Sequence, residues 1–163
     1  MLLGGAVCAG ISLSWRELPE ALIERHRLHD RIVVRHEGGE SEIHFLFRNS
    51  HPLIPAWSAN QLGIYEWGNR SNKKSRLPRT GWVSVEELEA GRWQSLRPEP
   101  VDIPATLGLD RGIWFQIREG IRGILVRDET TKQHVYMLTE PASHYYQVMT
   151  RHNRMPVLMG EKI

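Results

Sequence analysis

Apolar and polar positions alternate in short runs over residues 31–35, 42–48, 53–57 and 62–67, and Gly38-Gly39, Asn49-Ser50 and Ser58-Ala59-Asn60 stand between them. A period of two broken by turn residues predicts antiparallel strands joined as a meander. Further extended runs lie near 101–103, 113–118, 121–127 and 134–139, with a closing strand at 155–159. Gly120-x-x-Gly123 reads as a hairpin turn. Helical spacing is rarer. Leu18, Leu22, Ile23 and His26 share one face of a helix predicted over 15–28, capped by Ser14, with Pro19 in its first turn and Glu17, Glu20, Glu24 and Arg25 facing water. Ser84-Val85-Glu86-Glu87 has the form of a capping box, and Gly91 ends the short helix that follows. Pro141 suits the first position of a last helix through Thr150. Strands outnumber helices, so the predicted class is α+β. One domain over 1–163 holds a mostly antiparallel, barrel-like sheet with a few short flanking helices.

The 163 residues, 40% hydrophobic and 25% charged, suffice for one buried core. A lone cysteine makes no internal disulfide, which fits a reducing cytoplasm. Residues 1–13 are apolar but lack a basic start and are too short to span a bilayer, so neither export nor membrane attachment is expected. Residues 1–7 read as an extension to be discarded, or as the product of a start assigned too early, with Val7 the true initiator; a buried N-terminal strand with an ordinary core cysteine explains the same residues equally well. Eight histidines invite a metal reading, but their spacing lacks the regularity of a ligand set, and no metal or other cofactor is expected.

A net charge of +2 does not by itself demand nucleic acid. The distribution of that charge says more. Residues 69–79 read NRSNKKSRLPR with no carboxylate, and Trp57, Trp67 and Trp82 lie close in sequence. Cations interleaved with aromatics suit a single strand, whose phosphates they track and whose bases they stack on. A solvated loop beside core tryptophans explains the same pattern.

Cys8 carries the sharpest chemical suggestion. If the chain began there, one residue would hold an α-amine and a thiol, which together close an aldehyde into a thiazolidine. At the other end, 135–142 reads VYMLTEPA and 150–158 reads TRHNRMPVL. These segments resemble the SOS-response-associated peptidase (SRAP) family, which shows a strand ending Leu-Thr-Thr, an Ala-containing helix and then His-Asp-Arg-Met-Pro-Val. His152, Arg154, Met155 and Pro156 match, with Asn153 in place of Asp. Tyr65-Glu66-Trp67-Gly68, Val101-Asp102-Ile103-Pro104-Ala105 and Val7-Cys8-Ala9-Gly10 resemble further family segments.

The resemblance implies a protein of the DNA damage response that captures abasic-site aldehydes in single-stranded DNA through an N-terminal cysteine, with self-processing peptidase activity as a companion. It implies Cys8 as nucleophile and His152 as proton shuttle. Counting from Ala105 as the family does from its Pro-Ala pair puts Asp110 at the catalytic Glu, with Glu119 its rival and an ordinary turn residue the alternative. Asn69 is the nearest counterpart of the family's Asn. Arg70, Arg76, Arg79 and Arg154 would bind phosphates, and Trp67 or Trp82 would stack on a base. The expected molecule is a monomer in the cytoplasm, nucleoid-associated when on DNA. Two other readings stay open: a binding module that kept the fold without the chemistry, and a cysteine hydrolase using Cys8 and His152.

Overall fold

The computed structural model describes residues 7–34 and 37–160. The expectation that residues 1–7 are an extension falls outside the described residues except at Val7, which is buried in the main core, and the end of the predicted 31–35 strand at Arg35 also falls outside them.

Two sheets form the molecule. The smaller has five strands, in the order β2 (Ile32–Val34), β3 (Ser41–Leu46), β1 (Gly10–Ser14), β8 (Leu107–Asp110) and β9 (Ile113–Gln116), every neighbouring pair antiparallel. The larger is built on a ring of β4 (Leu53–Ser58), β5 (Gln61–Trp67), β11 (Gln133–Pro141), β10 (Ile121–Arg127) and β7 (Glu99–Ile103), so the expected barrel is present. The join of β5 to β11 is parallel. The ring is closed at its other seam by one pairing, Trp57 with Asp102. Two short strands extend β11: β6 (Trp82–Ser84) in parallel and β12 (Arg154–Pro156) antiparallel.

Side-chain alternation divides the interior in two. On β10 and β11, Ile121, Leu125, Val135 and Met137 point into the main core, with Ile54, Ala56, Val101 and Ile103. The residues between them, Ile124, Val126 and Tyr136, point the other way, into a second cluster with Leu77, Val83 and Trp93. Strands buried on both faces read as near-continuous apolar runs, which is why residues 121–127 are legible in the sequence.

The helices depart from expectation at prolines. Residues 15–28 form a 3₁₀ turn (Trp15–Glu17) and then α1 (Glu20–Arg25), because Pro19 forces Leu18 into an extended conformation and so interrupts any helix running through it. Ser14 caps nothing with its side chain. Pro141 ends β11; Ser143 is the cap of α3 (His144–Thr150), its hydroxyl accepting from the Tyr146 amide. The predicted capping box is complete at α2 (Val85–Glu89): Ser84 accepts from the Glu87 amide and Glu87 reaches back to the Ser84 amide. Ala59 and Asn60 both have positive φ, as a two-residue hairpin turn between β4 and β5 requires.

Candidate functional site

Cys8 lies two residues before the start of β1, which runs between β3 and β8 in the small sheet. Its thiol is fully buried and donates to the Gly10 carbonyl at 3.3 Å. Gly108 on β8 makes this approach possible. A Cβ there would sit 2.5 Å from the Phe115 ring and 3.0 Å from the Cys8 sulfur. Two residues further along β8 comes Asp110, also fully buried.

Asp110 gathers the remaining groups. Its Oδ2 accepts from the Tyr146 hydroxyl at 2.5 Å and lies 3.3 Å from Nδ1 of His152. Its Oδ1 is buried without a hydrogen-bond partner. Tyr146 is the inward residue of α3, and Thr150, one turn on, donates to the Tyr146 carbonyl and accepts from the His152 amide. Arg151 ends the helix in the left-handed conformation, and that reversal swings His152 back under α3 before β12 begins.

Electrostatics follow from enclosure. Burial, then the nearby Asp110 charge, pushes the Cys8 thiol up to about 12, while the Leu109 and Gly10 backbone oppose the shift. Burial and the hydrogen bond to Asp110 likewise drive the Tyr146 hydroxyl far above the ordinary phenol range. In this enclosure Cys8 is a protonated thiol, and the carboxylate beside it has one oxygen unused.

The structure thus brings together Cys8, Asp110 and His152. It places the other expected residues elsewhere. Glu119 is exposed in the turn after β9, against Gly160, outside the buried cluster. Asn69 is buried and works as a loop brace, its amide donating to the Asn72 and Leu77 carbonyls and its oxygen accepting from the Asn72 amide. Trp67, 1% exposed, donates to the Gly81 carbonyl and packs edge-on against Phe47 and Trp82, leaving no face for a base. Trp82 is half-buried and leans on Phe47. Arg154 is engaged by Glu86 through both terminal nitrogens, at 2.6 and 3.2 Å, and by Thr139. Arg76 donates to the Arg127 carbonyl, and Arg70 and Arg79 are exposed.

Tyr146 is the member that sequence reasoning missed. Tyr145 and Tyr146 are adjacent on one short helix, and only the i, i+4 partnership of Tyr146 with Thr150 marks the inward one. Among the described residues no group of three or more His, Cys, Asp or Glu is arranged to hold a metal, and no helix is long and apolar enough to cross a membrane. Compared with family models, with curated proteins and with solved structures, the chain matches none.

Proposed function

We propose that this chain is an SRAP-like protein that captures the aldehyde of an abasic site in single-stranded DNA through Cys8. The observation that carries the reading is the buried meeting of Cys8, Asp110 and His152, three residues far apart in sequence that the family resemblance implies as a site. The reaction needs Cys8 as the first residue of the chain, because only a free α-amine forms an imine. Cys8 sits at φ 48°, a left-handed conformation costing a β-carbon residue about 1–2 kcal/mol. Val7, buried in the same core, would leave with the residues before it, and its departure would uncover the Cys8 amine and thiol.

The amine attacks the aldehyde carbon of the ring-opened sugar, and the carbinolamine loses water to give an imine. The Cys8 sulfur then adds to the imine carbon while the nitrogen takes up a proton, closing the thiazolidine with one water as by-product. The thiol is held protonated, so it needs a base at the moment of addition. Asp110 Oδ1, buried and unpartnered, is the acceptor, and His152 exchanges the proton onward. Tyr146 fixes the carboxylate through Oδ2.

The test is denaturing electrophoresis and intact mass of protein released from a cleavable leader so that it begins at Cys8, mixed with single-stranded DNA bearing one abasic site. The expected result is a stoichiometric adduct, heavier by the DNA less one water, absent from Cys8→Ala and slowed about 100-fold by Asp110→Asn. No adduct from protein with a proven free amine overturns the reading in favour of the binding module, and multiple turnovers on a peptide would favour the hydrolase.

A further inference from the structure

An aromatic surface lies directly outside the buried cluster. Tyr145 and Val148 on α3 are 61% and 66% exposed, Ile113 at the start of β9 is 42% exposed, and Trp114 and Met149 are half-buried between them. A cavity of about 570 Å³ opens among Trp114, Phe115, Gln116, Arg118, Tyr145 and Met149, with no acidic residue in its lining. His44, whose ring centroid is 4.8 Å from that of Trp114, backs the indole. Phe115 meets Tyr146 edge to face at 5.3 Å, and the Tyr146 hydroxyl reaches Asp110, so the cavity wall is the outer side of the reacting cluster.

Arginines stand around this surface, with Glu119 next to Arg118 and Glu42 paired to His44 as the nearby carboxylates. Arg118 lines the cavity. Arg111, in the β8–β9 turn, donates to the Arg151 carbonyl at 2.8 Å, which places two exposed guanidinium-bearing residues where that turn meets the end of α3. Flat ring walls with guanidinium groups around them match a base flanked by phosphates, since stacking takes any base and the cations take the backbone. An acidic peptide without an aromatic side chain would satisfy the arginines but would leave the walls of the slot without a flat partner, whereas every nucleotide carries both groups.

We propose that the face formed by the β8–β9 turn and α3 binds single-stranded nucleic acid, with one base held between Trp114 and Tyr145 and neighbouring phosphates on Arg111, Arg118 and Arg151. This deepens the abasic-site reading and rests on it for the chemistry, but strand binding is measured apart from capture. This face, not the 69–79 loop, then supplies the stacking contact.

The experiment follows fluorescence anisotropy of a labelled single strand without any abasic site, for the parent protein and for Tyr145→Glu, Val148→Glu and Tyr145→Phe, with circular dichroism confirming each fold. Covalent capture of an abasic strand is assayed in parallel, with every protein released from its leader so that it begins at Cys8. Tyr145→Glu is expected to weaken strand affinity roughly tenfold or more, while Tyr145→Phe keeps it. Tyrosine-dependent strand binding without capture supports the surface and sinks the chemistry. Capture with strand affinity unchanged in Tyr145→Glu and Val148→Glu overturns the surface and leaves the chemistry standing. A parent that binds no strand overturns the surface, as does a parent dimer that Tyr145→Glu dissociates without changing strand affinity.

Discussion

At the residue scale the decisive property is the enclosure of Cys8. A thiol whose folded value is raised from 9.0 to about 12 retains its proton in the native state where an unfolded chain would lose it. The native state then binds more protons than the unfolded one between those values, so the contribution of Cys8 is full below about pH 9 and is lost as pH rises towards about 12. Denaturant titrations at rising pH are expected to show that loss in the parent and a flatter profile in Cys8→Ala. Iodoacetamide at pH 8 is expected to modify the unfolded chain far faster than the native chain that keeps Val7 ahead of Cys8. Equal rates would mean that the thiol is open to solvent.

Among elements, the small helices owe their boundaries to local chemistry more than to amphipathic length. Helix α2 has only five residues, too few to persist alone, and its capping box satisfies amides that would otherwise lack partners. Ser84→Ala is expected to lower unfolding stability by about 1 kcal/mol, read from chemical denaturation, with the β-sheet signal retained. The same scale explains what sequence reading reached. Strands buried on one or both faces carry their pattern in the chain, and residues 121–127 match the observed β10 end to end. Strand β8, Leu-Gly-Leu-Asp, is short and its alternation is inverted: Leu107 and Leu109 are half-buried, while Gly108, which makes room for the Cys8 sulfur, and Asp110 face the interior. Asp110 was marked only by the resemblance, counted from Ala105 as the family counts from its Pro-Ala pair, whereas Tyr146 required knowing which side of α3 meets Phe115. Trp67 and Asn69 misled for one reason: aromatic and amide groups beside a basic loop brace it as readily as they bind a ligand.

At the scale of the whole molecule, the 69–79 loop is tied to the barrel at its parallel join. His134 lies 2.7 Å from the Gly68 carbonyl through Nδ1 and 3.0 Å from Asp128 through Nε2, and Asp128 also accepts from Thr130 and from the Lys132 amide. Burial works against the Asp128 charge, but the bonds from Thr130 and His134 outweigh it and hold the carboxyl well below the usual aspartate range. A lowered value means that stability is present above the unfolded value, 3.8, and is lost as pH falls below it. Asp128→Asn is expected to cost about 2 kcal/mol at neutral pH and to flatten the acid limb of the stability profile. An acid limb unchanged from the parent would assign the loss to other carboxylates.

Cys8 and His152 enter the cluster from opposite ends of the described chain, and Asp110 from its middle. A ribosome delivers Cys8 long before either of its partners. Throughout synthesis the thiol is an ordinary one, open to oxidants and electrophiles. It becomes shielded only when β8 pairs beside β1 and the turn after α3 closes over Asp110. Shielding of the sulfur is thus a late event in the life of each chain, and it marks a completed molecule apart from an arrested one.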